Sequence, residues 1–325
     1  FPKDSYYVFQ AEWTDFRKAP MVHLFPYWDF NPGQLIDLRA CTNAPSVELF
    51  VNGVSWGRQE IDHKKGEKLL GDWRVPYEPG TITAVAYDEA GREIARDSHS
   101  SFGDSRSIRL TADREVLSSD KDELCFLAIE TVDAQGNLVE NAADYVKVEI
   151  AGPGRLLGLD NGDSTDYDPY KTNVRKLFSG KLLAVIGGTN ETGDVTVSVT
   201  GEGLESGEVT LHIEGKIQDD RNNGERNARL RKECAEYDSV CPMHPVRKVE
   251  LLAVEGQRFT KEKRELTVEA AVYPAGAEPE LIWKAVNESG IEIGYAKVSV
   301  ISDEDQSASH CVGRKVRVTA CGDGE

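Results

Sequence analysis

One segment concentrates groups that could bind something: Gly158-Leu159-Asp160-Asn161-Gly162-Asp163-Ser164-Thr165-Asp166-Tyr167-Asp168-Pro169-Tyr170. Its density of oxygen ligands is that of a hard-cation loop, so calcium is the first chemistry to test. The spacing argues against it. Counting from Asp160, Gly162 falls where an EF-hand loop supplies a side chain, and no Glu stands at the twelfth place. The segment is also too long for a hairpin turn. It is expected as a structured loop that packs at a domain seam or reaches the rim of a substrate site. Asp160, Asn161, Asp163, Asp166, Tyr167 and Tyr170 are its contact residues, with no metal and no cofactor.

Other constellations are weaker. The six histidines (His23, His63, His99, His212, His244 and His310) show no HxxxH or HxH spacing. The six cysteines (Cys41, Cys125, Cys234, Cys241, Cys311 and Cys321) include no CxxC pair, which excludes a structural zinc site of that type. They read as buried or incidental thiols. Cys234 with Cys241, or Cys311 with Cys321, could bridge only in an oxidising compartment. No nucleophile elbow, phosphate loop or dinucleotide fingerprint occurs. Glycoside hydrolysis needs two carboxylates about 5–9.5 Å apart in a cleft, and sequence alone places no such pair. The early aromatics Trp13, Trp28, Trp56, Trp73, Tyr27 and Tyr77 could stack on sugar faces, although core and seam packing is the commoner use of such residues.

Charge narrows the partners. With 56 acidic and 38 basic residues the formal net charge is −18, a field that repels phosphate backbones and argues against nucleic acid. The longest apolar runs, such as Leu182-Leu183-Ala184-Val185-Ile186, are far too short to cross a membrane. A neutral partner such as a sugar is compatible with this surface.

The elements that must position these residues are strands. Ser46-Val47-Glu48-Leu49-Phe50-Val51 alternates and then meets Asn52-Gly53, the strongest short hairpin signal, before a return strand from Val54 to Ile61. Similar runs follow at Gly80–Tyr87, Ile108–Ala112, Leu124–Val132, Val146–Ile150, Gly193–Val199 and Gly207–Ile213. Alternation stops in the polar stretch after Lys216 and resumes at Val246–Leu251, Leu266–Val272, Leu281–Val286, Lys297–Val300 and Arg314–Ala320. The pattern predicts an all-β chain of three tandem immunoglobulin-like β-sandwich domains. Residues 21–105 form the first, 106–214 the second and 246–325 the third, with a polar linker at 215–245. Trp283 is expected in the third core. The closing Gly322-Asp323-Gly324-Glu325 reads as a turn whose next strand is missing.

Residues 1–20 are read as the remnant of a domain junction. Phe1 is neither an initiator methionine nor part of a signal peptide. Phe1-Pro2-Lys3-Asp4-Ser5-Tyr6-Tyr7, Trp13-Thr14-Asp15, Pro20-Met21-Val22-His23-Leu24 and Pro26-Tyr27-Trp28 resemble the junction after the catalytic barrel in bacterial β-galactosidases of glycoside hydrolase family 2. Val47-Glu48-Leu49-Phe50-Val51-Asn52-Gly53 resembles that family's first post-barrel domain. Asp133-Ala134-Gln135-Gly136-Asn137-Leu138-Val139 and Gly152–Asp163 resemble its next one. Residues 246–325 resemble a bacterial Ig-like module.

The resemblance implies a retaining hydrolysis of neutral β-galactosides by two glutamates on an upstream (β/α)8 barrel. Those glutamates have no counterpart here, so the chain alone is expected to be inactive. It would support the barrel, form homo-oligomer contacts or touch the active-site rim, with Tyr6, Tyr7, Trp13 and Trp28 packing at the barrel seam. A bacterial cytoplasm is favoured over secretion. The alternatives are a tandem Ig-like surface adhesion array, which the mutual dissimilarity of the three units disfavours, and a carbohydrate-binding module.

Overall fold

The computed structural model describes residues 1–66, 68–119, 123–189, 191–215, 245–254, 256, 258–260, 262–275, 277, 279, 281–287, 290–301 and 314–321. The polar stretch at 216–244, with Cys234, Cys241 and His244, lies outside them, as do His310, Cys311 and the closing residues 322–325. The chain divides into two compact units, residues 1–142 with 146–237 and residues 143–145 with 238–325.

The larger unit opens with a helix, α1 (Asp4–Trp13), and continues in strands. β1 (Val22–Phe25), β2 (Leu35–Thr42) and β5 (Leu70–Pro76) form one sheet. β3 (Ser46–Val51), β4 (Val54–Glu60), β6 (Thr81–Tyr87) and β7 (Glu93–Ser100) form a second, in the order β4-β3-β6-β7. Leu38, Val75 and Leu24 of the first sheet meet Val47, Leu49, Ile82 and Ala84 of the second in one buried core. Alternation drives this arrangement, since side chains of a strand point to opposite faces and one face must leave water. Asn52 and Gly53 both adopt positive φ, at 50° and 80°, the mirror-image turn expected of an Asn-Gly hairpin.

A second sandwich follows. Its four-stranded sheet has the order β12-β14-β10-β8, built from β8 (Ser107–Ala112), β10 (Leu124–Val132), β12 (Gly154–Asp160) and β14 (Lys181–Gly188). The facing sheet, β13-β11-β15-β16-β9, uses β9 (Val116–Ser118), β11 (Tyr145–Ala151), β13 (Val174–Lys176), β15 (Gly193–Gly201) and β16 (Gly207–Glu214). Leu127, Ile129, Leu182 and Ile186 pack against Val148, Val197, Val199 and Leu211. Fully burying each such side chain contributes about 1.5–3 kcal/mol, so these two cores hold the unit together.

The two sandwiches are joined by a smaller apolar cluster of Phe102, Val139 and Ala142, with Tyr27 against it. Polar contacts reinforce the join. Gly103 N–H donates to Asp133 Oδ2 at 2.9 Å, and His99 Nδ1 lies 2.8 Å from Glu140 Oε1.

In the smaller unit, β17 (Lys248–Ala253), β18 (Glu265–Tyr273), β19 (Ala296–Val300) and β20 (Lys315–Ala320) form a four-stranded antiparallel sheet in the order β17-β18-β20-β19. Two expectations fail here. Leu281–Val286 alternates but forms no strand beyond an isolated bridge between Val286 and Glu292. Trp283 is half-buried rather than a core residue, with Ile282 beside it largely exposed. A period-2 pattern produces a strand only where a neighbouring edge accepts its hydrogen bonds.

Candidate functional site

Helix α1 lies on the first sandwich and is held at both ends. Near its start, Asp4 Oδ1 is 2.9 Å from His23 Nε2, and near its end Glu12 Oε1 is 3.0 Å from His63 Nδ1. Asp4 sits in the first turn, where a negative charge suits the helix dipole. Thr14 closes the last turn by donating its hydroxyl to the Gln10 carbonyl at 2.7 Å. Ala11 is buried, and the Tyr7 ring stacks on His23 with centroids 3.9 Å apart. Burial alone would lower the His23 pKa, but its bonds to Asp97 and Asp4 outweigh this and raise it.

The other face of the helix carries Tyr6, Phe9 and Trp13, which are 53%, 55% and 79% exposed. Spacings of three and four residues put them on one side. Phe9 and Trp13 touch, with ring centroids 5.2 Å apart. A clamped helix thus turns an apolar face outward.

The second element is the loop Asp160–Tyr170 between β12 and β13. Its brace is buried: Arg175 Nε donates to Asp166 Oδ2 at 3.2 Å, and both side chains are almost fully enclosed. Arg175 Nη1 also donates to the Leu159 carbonyl at 3.1 Å, and Asn161 Nδ2 donates to Asp166 Oδ2 at 2.6 Å. Burial pushes the Asp166 carboxyl up, but hydrogen bonds from Asp168 N–H and Asn161 and the nearby Arg175 and Lys176 charges hold it below the usual range. The other aspartates fold the loop on itself. Asp160 accepts from Gly162 N–H, and Asp163 accepts from the N–H and hydroxyl of Thr165. Those Thr165 bonds hold the Asp163 carboxyl low.

The Asp160, Asp163 and Asp166 carboxylates are therefore spent on groups of the loop itself and on Arg175. Among the described residues no group of three His, Cys, Asp or Glu side chains converges on one point. A general acid needs a carboxyl kept protonated at neutral pH, and Asp163 and Asp166 are held ionised. The loop instead presents rings. Tyr167 is 97% exposed at its tip, and Tyr170 lies over the Arg175 guanidinium at 4.7 Å. The Lys3 charge, one residue before α1, acts weakly on the Asp163 carboxyl, and Lys181 Nζ at the start of β14 sits 5.7 Å from the Phe1 ring.

The expected contact residues fall into separate places in the fold. Asp160, Asn161, Asp163, Asp166, Tyr167 and Tyr170 come together in one loop, while Tyr6 and Trp13 share the outward face of α1. Tyr7 is turned inward onto His23. Trp28 departs from its expected place at a seam. It is wholly enclosed in the first core and donates its ring N–H to the Glu78 carbonyl at 3.0 Å, so it has no outer face to offer. Sequence reasoning missed Phe9, although its helical spacing from Tyr6 and Trp13 is a readable signal. It also missed Arg175, for which no local signal exists.

Comparison with known proteins fits this architecture. Residues 108–210 match the model of the glycoside hydrolase family 2 C-terminal domain 5, and residues 33–95 match a domain of unknown function (DUF4982). The second sandwich is thus similar to a C-terminal domain of glycoside hydrolase family 2. It is 40% identical over 215 residues to the β-galactosidase BoGH2A of Bacteroides ovatus, covering 66% of this chain and 24% of that protein. A β-glycosidase of known structure from Bacteroides vulgatus superposes with a TM-score of 0.61 at 33% identity, over 65% of this chain and 27% of that one. A family 2 β-glucuronidase shares the fold at a TM-score of 0.57 and 20% identity, over 82% of this chain and 30% of its own. The chain thus spans about a quarter of the length of the curated relatives it matches.

Proposed function

We propose that this chain is the accessory region that seats against the catalytic domain of a family 2 glycoside hydrolase of β-galactosidase type. The seat is the Tyr6, Phe9 and Trp13 face of α1, and the Asp160–Tyr170 loop carries Tyr167 toward the substrate rim. The observation that carries the reading is the outward apolar face on a helix fixed at both ends. Apolar rings clustered on a rigid support mark an interaction surface, because exposing them to water has a standing cost. A β-galactoside is favoured over a β-glucuronide by the length of the match: identity is 40% over 215 residues to the β-galactosidase, against 29% over 209 residues to a putative β-glucuronidase of Formosa agariphila and 40% over only 63 residues to a β-glucuronidase of Bacteroides fragilis.

In this reading the hydrolytic carboxylates belong to the barrel. These domains stabilise it and shape its rim. The test restores a family 2 catalytic domain ahead of residue 1 and compares the fusion with its Trp13→Glu variant. The seat predicts turnover of nitrophenyl β-galactoside by the fusion, with a lower melting temperature of the catalytic domain in the variant. Identical melting and turnover in both would reject the helix as the seat. A second copy covering the face would show instead as a concentration-dependent dimer of the isolated chain.

A further inference from the structure

The outer face of the β4-β3-β6-β7 sheet holds a groove that the proposed seat does not use. β3 and β6 turn Val47, Leu49, Ile82 and Ala84 into the core, so Phe50, Thr81, Thr83 and Tyr87 stand outward. With Asn52 and Arg96 these residues line a groove of about 620 Å³, within the range of about 300–1,000 Å³ usual for small-molecule sites. The Asn52-Gly53 turn and Gly80 form one end. Gly80 has φ of +140°, and a Cβ there would run into the Asn52 side chain, so only glycine keeps that end open.

The chemistry of the lining is specific. Thr83 pairs with Ser98 hydroxyl to hydroxyl at 2.9 Å, and Thr81 pairs with Ser100 at 3.1 Å. In each pair one hydroxyl has spent its hydrogen and the other one lone pair. The pair therefore keeps one donor and several acceptor sites for a ligand. Phe50 and Tyr87 add rings, and the Arg58 guanidinium lies over the Tyr87 ring at 3.5 Å. The charges are closed off. Arg96 is held by both oxygens of Glu93 at 2.9 Å, and Glu48 is held by Ser55 and Arg58. On a chain of net charge −18, this groove offers rings and two-way hydroxyls without a free charge.

We propose that this groove binds a neutral saccharide chain. Sugar hydroxyls both donate and accept, which matches the threonine–serine pairs, and the apolar C–H faces of pyranose rings match Phe50 and Tyr87. The groove is open at the surface, which suits an extended chain over an enclosed monosaccharide. Its position on the first sandwich makes it a holding site for polymer, independent of the helix seat and of Tyr167.

The test is affinity electrophoresis of the 325-residue chain through gels containing soluble galactan, xylan, xyloglucan or glucomannan. At least one polymer is expected to retard the chain. Thr83→Val keeps strand shape and removes the hydroxyl, and Phe50→Ala removes one ring. Each should weaken retention about 2- to 10-fold, with Tyr167→Ala unchanged. Thr83→Val keeps the test decisive if Phe50→Ala does not fold. Free migration in every gel overturns the proposal. So does retention that both groove variants leave intact or that Tyr167→Ala abolishes.

Discussion

His99 on β7 sends Nδ1 to within 2.8 Å of Glu140 Oε1, across the join between the two sandwiches, while its Nε2 lies 2.9 Å from the Leu24 carbonyl. Both partners are acceptors, so the ring satisfies them together only as imidazolium. Burial would lower the His99 pKa, but the Glu140 bond and the Glu140 and Asp97 charges raise it. A raised histidine contributes stability that is fully present below its unfolded pKa, about 6.5, and is lost as pH rises through the folded value.

The melting temperature of the larger unit should therefore fall as pH is raised above about 6.5. Losing this charged hydrogen bond costs about 1–2 kcal/mol, or roughly 2–8 °C. Thermal scans of wild type and His99→Gln across that range check it. The variant should show a shallower decline, with a residue left by His23, whose pKa is raised in the same direction.

The Asp166–Arg175 pair gives the opposite sign. The depressed Asp166 carboxyl contributes stability above its unfolded pKa, about 3.9, and loses it as pH falls through the folded value. Arg175→Met removes one partner and leaves a buried charge, which costs about 3–5 kcal/mol. Hydrogen exchange over residues 160–176 should rise sharply in Arg175→Met at neutral pH, and in wild type only under acid conditions. Equal exchange in both proteins at neutral pH would show that the ion pair does not hold the loop.

These two contacts mark the limit of what the sequence reveals. Strand alternation was readable because its cause is local: from Val47 to Val51 every second residue is buried, and Asn52-Gly53 supplies the positive φ its turn requires. The all-β reading follows from such runs. Tyr6 and Trp13 stand exposed on α1, while Trp28 is enclosed in the first core, since a tryptophan near a junction is equally a core residue until partners are known. The clamps are beyond local reading. His99 meets a residue 41 positions away and His63 one 51 positions away, and a buried Arg175 breaks the ordinary rule that arginines stay in water.

Thiol reactivity separates the cysteines by burial. Cys41 and Cys125 are enclosed, and burial pushes their thiols up to about 12 and about 11. Neither forms thiolate at neutral pH, so neither should alkylate in the native protein. Cys321 is exposed and free. Iodoacetamide treatment at pH 7.5 followed by peptide mass mapping should label Cys321 and spare Cys41 and Cys125 until denaturant is added.

Trp13 should contribute to binding without contributing to folding. At 79% exposure its replacement by serine should leave unfolding free energy within about 0.5 kcal/mol of wild type. Binding of a hydrophobic dye should fall in the same variant. A large loss of stability would mean that the ring is part of the fold rather than an open seat.

The central claim is that this chain supports a glycoside hydrolase whose chemistry lies in another domain. Incubating the purified 325-residue chain with nitrophenyl β-galactoside and nitrophenyl β-glucuronide tests it directly. The account predicts no release of nitrophenol above a mock preparation with either substrate. Turnover by the chain alone, surviving further purification, would contradict it.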